Sequence, residues 1–302
     1  MAEVTIMDTT KMPFEEVRRG RVHMIRRKRL PLDTGMSGVT MEYSLSVVPS
    51  GYFTPRHKHN FDQIRYTLSG IQSTGFGDLA AGECGYFPEG SYYGPQQQEG
   101  DCECLVLQFQ GASGERLLSN EEMNATYDKL IKSGGKFENG VYKGTGLDGK
   151  PKNKDSYEAI WEAHEGRELE FPAPRYRDPV MMLAKNSRFW PDRKRPGVEL
   201  KHLGTFSEGR TGMSFLRVAP GADIKAGTQE DTELRFCIDG SFSYDGQSWG
   251  AGTYLHLPFG ADIKALASDS GATFFVIALP MLADIAAARS AGAHPSGLVH
   301  AA

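Results

Sequence analysis

Apolar positions along this chain come in short bursts rather than at helical spacing. Residues 39–48 (VTMEYSLSVV), 64–69, 84–88 and 104–109 are runs rich in Val, Ile, Leu, Tyr and Phe, bounded by Gly, Pro, Ser and Asp. Runs of this length and composition predict strands. Similar runs return at 212–218, 234–238, 253–258 and 273–280. Closely spaced strands without alternating helices predict a sandwich or a barrel rather than βαβ units. The middle of the chain reads differently. Ser119 followed by Glu122 is a capping-box pattern that predicts a helix ending near Gly134, and DSYEAIWEAHEG (155–166) predicts a second. Between them KGTGLDGKPKNKD (143–155) is polar and reads as a loop, and FPAPRYRDPV (171–180) reads as extended chain. A last helix is expected from Leu282 to Arg289.

The two sets of strands lie at a constant offset. Gly51, Gly70, Gly82, Pro88 and Gly90 recur 170 positions later as Gly221, Gly240, Gly252, Pro258 and Gly260. Arg65 recurs as Arg235, and Leu105-Val106-Leu107 falls on Phe275-Val276-Ile277. Turn residues and the apolar strands between them would not share one gapless offset by accident, so the pattern implies a duplicated β-unit. The expected domains are 1–114, a connector 115–185 with two short helices, and 186–302.

Composition narrows the function classes. The 302 residues are 39% hydrophobic and 24% charged, ordinary for a globular protein. A net charge of -4 supplies no basic field for nucleic acid or an anionic membrane surface, so neither is expected as a partner. No apolar run reaches the length of a membrane span. The N-terminal MAEVTIMDTT lacks the pattern of a secretion signal, and a cytoplasmic protein is the expectation. Cys84, Cys102, Cys104 and Cys237 form no CxxC pair and read as small buried hydrophobes.

Candidate chemistry gathers in the first copy. Gly51, His57, His59, Gln63 and Gly70 form one motif, and Gly82, Pro88, Gly90, Tyr93 and Gln97 a second. Strand alternation puts His57 with His59, and Gln63 with Arg65, on one face. Two imidazoles so placed can start a metal site. Gln63 and Tyr93 are either weak oxygen ligands or polar lining. Arg65 either meets a substrate carboxylate or pairs with an acid of the protein.

These motifs resemble the cupin family, whose pattern is G-x5-H-x-H-x3-E-x6-G followed by G-x5-P-x-G-x2-H-x3-N. Here Gln63 stands for the Glu, Tyr93 for the third His and Gln97 for the Asn. The resemblance covers about residues 39–109 and 209–279 and implies an all-β protein: two jelly-roll barrels in tandem, a bicupin. It implies one divalent metal in the N-terminal barrel on His57, His59, Gln63 and Tyr93, with Fe(II) first and Zn, Ni or Mn as alternatives. In the second copy Gly227, Gln229, Glu233 and Ile263 hold the corresponding places, so no metal is expected there. Resemblance to the quercetin-dioxygenase-like group makes an oxygen-dependent dioxygenase acting on a small molecule the first expectation, with Arg65 and Gln97 binding substrate. The alternatives are a metal-dependent lyase or isomerase with Tyr93 as acid or base, and a non-catalytic cupin that binds a small ligand. Family habit implies a homodimer.

Overall fold

The computed structural model describes residues 3–17, 24–34 and 39–290. They form two compact units. One comprises 14–29 and 39–182, the other 1–13, 30–38 and the chain from 183 onward.

The first unit is built on a seven-stranded sheet. Its order is Val180–Met182, Cys84–Phe87, Phe61–Ser69, Cys102–Gln110, Met41–Val48, Ile25–Leu30, Glu15–Val17. Shorter ladders accompany it, Phe53–Thr54 with Gln96–Gln97 and Ile71–Ser73 with Asp78–Ala80, together with the isolated bridge His57↔Tyr93. The second unit repeats the register 170 residues on. Cys102↔Val48 becomes Ala272↔Val218, Gln63↔Gln108 becomes Glu233↔Ala278, and His57↔Tyr93 becomes Gly227↔Ile263. The recurring glycines have a steric cause. Gly70 and Gly240 both sit at positive φ, where a Cβ would run into the carbonyl oxygens of Asp101 and Gly271. Each unit is therefore a jelly-roll barrel, and the duplicated all-β architecture read from the sequence is the one observed.

Three expectations change. The expected N-terminal domain includes residues 1–13, yet Thr5–Asp8 pairs with Thr253–Leu257 and edges the C-terminal sheet. The equivalent edge of the first sheet is taken by Val180–Met182, from the end of the connector. A strand needs a partner ladder, and sequence position does not say which open edge supplies it. Second, residues 115–182 form one unit with the first barrel rather than a separate connector domain. Third, the expected loop 143–155 is mostly hairpin: Val141–Thr145 pairs with Pro151–Asp155, and Lys136–Glu138 adds a third strand. Its polar composition hid it, because these strands are largely exposed.

The helices form where their caps predict. Helix α1 (Asn120–Lys132) carries the full Ser119/Glu122 capping box. Helix α2 (Ser156–Glu165) starts on Asp155, which accepts from the N–H groups of Tyr157 and Glu158, and stops at Gly166 in the left-handed region. Both bury an apolar face, with Met123, Leu130, Ile160 and Trp161 packed in one cluster with Phe61 of the barrel. The last helix, α3, runs Pro280–Ser290.

An acidic clasp ties the connector to the outside of the first barrel. Asp62, 0% exposed, accepts from the Glu89 backbone N–H at 2.7 Å and from Arg175 at 3.4 Å. Arg175 also donates to the Tyr86 hydroxyl at 3.1 Å. Burial pushes the Asp62 carboxyl up from 3.8 to about 6, against the pull of the Glu89 N–H and Arg175. Folding thus favours the protonated acid between these two values. The Asp62 contribution to stability is greatest below about pH 4 and falls as pH rises to about 6, by at most about 3 kcal/mol. Denaturant titrations of the wild type and Asp62→Asn across pH 4–7 should show the wild type losing stability relative to the variant over that window. A difference that stays flat with pH would remove the buried acid as the cause.

Candidate ligand site in the N-terminal barrel

Alternation along the strands of a closed barrel sends every second side chain inward. In the first barrel these side chains line a cavity of about 70 Å³, taken as the space open to the centre of a water molecule. Its wall includes Ser44, Ser46, His59, Gln63, Arg65, Gln72, Tyr93, Gln96, Gln98, Cys104 and Gln108. The second barrel replaces polar lining with bulk at the same positions. Ser46, Gln72, Tyr93, Gln96 and Cys104 correspond, at the 170 offset, to Leu216, Phe242, Ile263, Leu266 and Phe274, all of which pack in its apolar core. One barrel is hollow and polar, while the other is filled.

The predicted site residues meet in the hollow barrel. The two-way backbone bonds of the His57↔Tyr93 bridge, both 3.0 Å, bring these side chains together. Their rings lie 4.4 Å apart, with His59 4.8 Å from His57 and 5.7 Å from Tyr93. His57 does not line the cavity. Its Nδ1 donates to the Pro55 carbonyl at 2.8 Å, which makes Nε2 the nitrogen with the lone pair. His59 reaches the wall, stacked on Phe61 at 4.5 Å and met edge-on by Tyr157 of α2 at 5.3 Å. Tyr157 is fixed by its hydroxyl, which donates to Asn60 Oδ1 at 2.9 Å.

Arg65 holds the centre. It is 6% exposed and lies over Phe87 at 4.3 Å. Its Nε and Nη2 donate to Gln63 Oε1 at 3.0 and 2.7 Å, and Nη2 also donates to the Tyr93 hydroxyl at 2.8 Å. Among the described residues no carboxylate pairs with it. The matching Arg235 does have one: Glu233 Oε2 accepts from its Nη2 at 2.6 Å and from its Nε at 2.8 Å. The exchange of Glu for Gln between the copies thus leaves one guanidinium compensated and the other not.

Sequence spacing misplaced one residue. Gln97, expected to bind substrate, is exposed and lies outside the cavity wall. Motif position marks it, but alternation turns it outward and turns Gln96 and Gln98 in. Gln98 is spent on structure, donating to the Ile71 and Gly100 carbonyls at 2.5 and 2.7 Å. Tyr157, Gln72 and Gln108 had no motif to mark them.

These donors fit a resident divalent ion poorly. Of the four expected ligands, Gln63 and Tyr93 are oxygens already bound to the Arg65 guanidinium, and the carboxylate on the cavity wall, Glu42, is paired with Arg27. Among the described residues no group of three His, Cys, Asp or Glu is arranged to hold a metal. The imidazoles of His57 and His59 are what remains of the cupin ligand set.

Comparison with known proteins agrees with this fold. A family model described as the ChrR cupin-like domain matches residues 180–282, over the filled barrel. No curated protein matches the chain. Among solved structures, a protein provisionally named a dioxygenase from Nostoc punctiforme is similar at 15% identity and TM-score 0.65, covering 91% of this chain and 82% of its own. Protein Ylba from E. coli is similar at 13% identity and TM-score 0.54, with 92% and 91% covered. Oxalate decarboxylase from Bacillus subtilis is similar at 15% identity and TM-score 0.50, with 91% and 75% covered. The family match thus lies on the second barrel, and the solved structures share the fold of two cupin-type barrels in tandem. At these identities the solved structures establish the fold alone. No described helix is long and apolar enough to cross a membrane.

The donor set predicts that protein purified without added metal and dialysed holds well under one equivalent of Fe, Mn, Ni or Zn by elemental analysis. Near-stoichiometric metal that disappears in the His57→Ala/His59→Ala double variant would overturn that prediction.

Proposed function

We propose that the N-terminal barrel takes a small organic acid, with its carboxylate on Arg65, and that any chemistry done there is proton transfer of the lyase or isomerase kind. The observation that carries this reading is the buried Arg65 guanidinium without a carboxylate among the described residues, where the equivalent Arg235 of the second copy has one. An uncompensated charge held from water costs several kcal/mol, and a ligand carboxylate would relieve it through a short, charge-assisted hydrogen bond. Gln63 and Tyr93 engage Nε and Nη2, so the Nη1 edge is left to meet the ligand.

Tyr93 is the acid–base candidate. Its hydroxyl lies 2.8 Å from Arg65 Nη2, so a carboxylate seated on the guanidinium brings the adjoining carbon close to the phenol oxygen. His59 is the other proton carrier on the cavity wall. The second barrel, with its interior filled, serves as a structural partner.

One observation favours a second reading, the oxygen-dependent cleavage that the family resemblance suggests. The Nδ1 bond from His57 to Pro55 is the arrangement that fixes a metal-binding imidazole. That reading needs a metal on His57 and His59, and elemental analysis separates the two.

Arg65→Gln, titrated calorimetrically with a panel of short mono- and dicarboxylates, should bind the acids that the wild type binds at least about tenfold more weakly. Arg65→Lys, which keeps the charge and loses the fork, should fall between. Equal binding by wild type and Arg65→Gln, or no binding by the wild type, would sink the reading.

A further inference from the structure

Gln72 lines the same cavity and is 4% exposed. Its Nε2 lies 3.5 Å from Cys104 Sγ, and its Oε1 is buried with no hydrogen-bond partner. A buried amide oxygen left unsatisfied costs about 1–3 kcal/mol, so such atoms in a native fold call for an explanation. The position is not polar by necessity. The filled barrel places Phe242 there, packed against Phe274, which stands where Cys104 does. A polar amide has been kept where the fold itself accepts an apolar ring, and it faces the cavity.

We infer that the ligand of the N-terminal barrel is a short-chain hydroxy acid, with its carboxylate on Arg65 and its hydroxyl on Gln72. This rests on the organic-acid reading above and adds the second point of contact. A hydroxyl is the group that completes Gln72, because it both donates and accepts. It donates to Oε1 as the amide now stands. With the amide turned over, Cys104 Sγ–H faces the oxygen and the hydroxyl accepts from Nε2, so either orientation is satisfied. A ketone or ether could serve only one of them.

The space sets the size. About 70 Å³ open to water centres corresponds to about five to seven water positions, which admits an acid of about three to five carbons. A site built to hydrogen-bond a hydroxyl discriminates against the analogue that lacks it, because the protein group is then left buried and unpaired. The proposal therefore concerns selectivity as well as affinity.

The test is calorimetric titration of the full chain with matched pairs: lactate against propionate, 3-hydroxybutyrate against butyrate, malate against succinate. In at least one pair the hydroxy acid should bind the wild type about tenfold or more tightly than its deoxy partner. Gln72→Met, of similar volume without the amide, should bring that ratio close to one, and Arg65→Gln should weaken both members together. Deoxy and hydroxy acids that bind the wild type equally, in an Arg65-dependent way, would overturn the hydroxyl contact and leave the organic-acid reading standing. Discrimination that survives in Gln72→Met would overturn it too. Failure of every acid to bind the wild type would overturn both. The wild-type ratio decides the matter even if Gln72→Met does not fold.

Discussion

Closing a sheet into a barrel aims half of every strand's side chains at one enclosed space, and that space must be filled with something. Apolar side chains fill it by packing and exclude water. Polar side chains leave gaps that only water or a ligand can occupy. This chain makes both choices on one repeated backbone. Leu216, Phe242, Leu266 and Phe274 close the second interior, while Ser46, Gln72, Gln96 and Cys104 line the first. Because the registers agree at the 170 offset, the contrast comes from side chains and not from a different path of the chain.

Within the hollow barrel, charge decides what the cavity can hold. Glu233 neutralises Arg235. Gln63, at the same place in the first copy, offers Arg65 a hydrogen-bond acceptor of similar shape with no charge. That single exchange puts a neutral amide where the cupin pattern has a carboxylate and leaves Arg65 without an ion-pair partner among the described residues, while the other cation on the cavity wall, Arg27, has Glu42. Both changes act in one direction, making the site a worse home for a divalent ion and a better one for an organic anion.

The connector is part of this arrangement. Its second helix supplies Tyr157, which braces His59 from outside the motif strands. The extended segment after that helix supplies Arg175 to the buried Asp62, on the opposite parity of the strand that carries Gln63 and Arg65. Inward residues of that strand face the cavity while Asp62 anchors the connector, so ligand chemistry and structural attachment share one strand without sharing a face.

The sequence by itself determined the repeated strands of 39–109 and 212–280, the duplication, both helix caps and the barrel that keeps two histidines. These are local or periodic signals: alternation, turn glycines, a capping box and one offset. It also marked Arg65 and set out both of its fates, a ligand or an internal acid. Only the tertiary structure shows that no described acid pairs with Arg65, because pairing depends on which carboxylates lie within a few ångströms after folding. For the same reason the sequence could not place Thr5–Asp8 on the C-terminal sheet, turn Gln97 outward, or bring Gln72 and Tyr157 to the site. Each depends on contacts between residues far apart in the chain, and spacing along a sequence carries no record of distance across a fold.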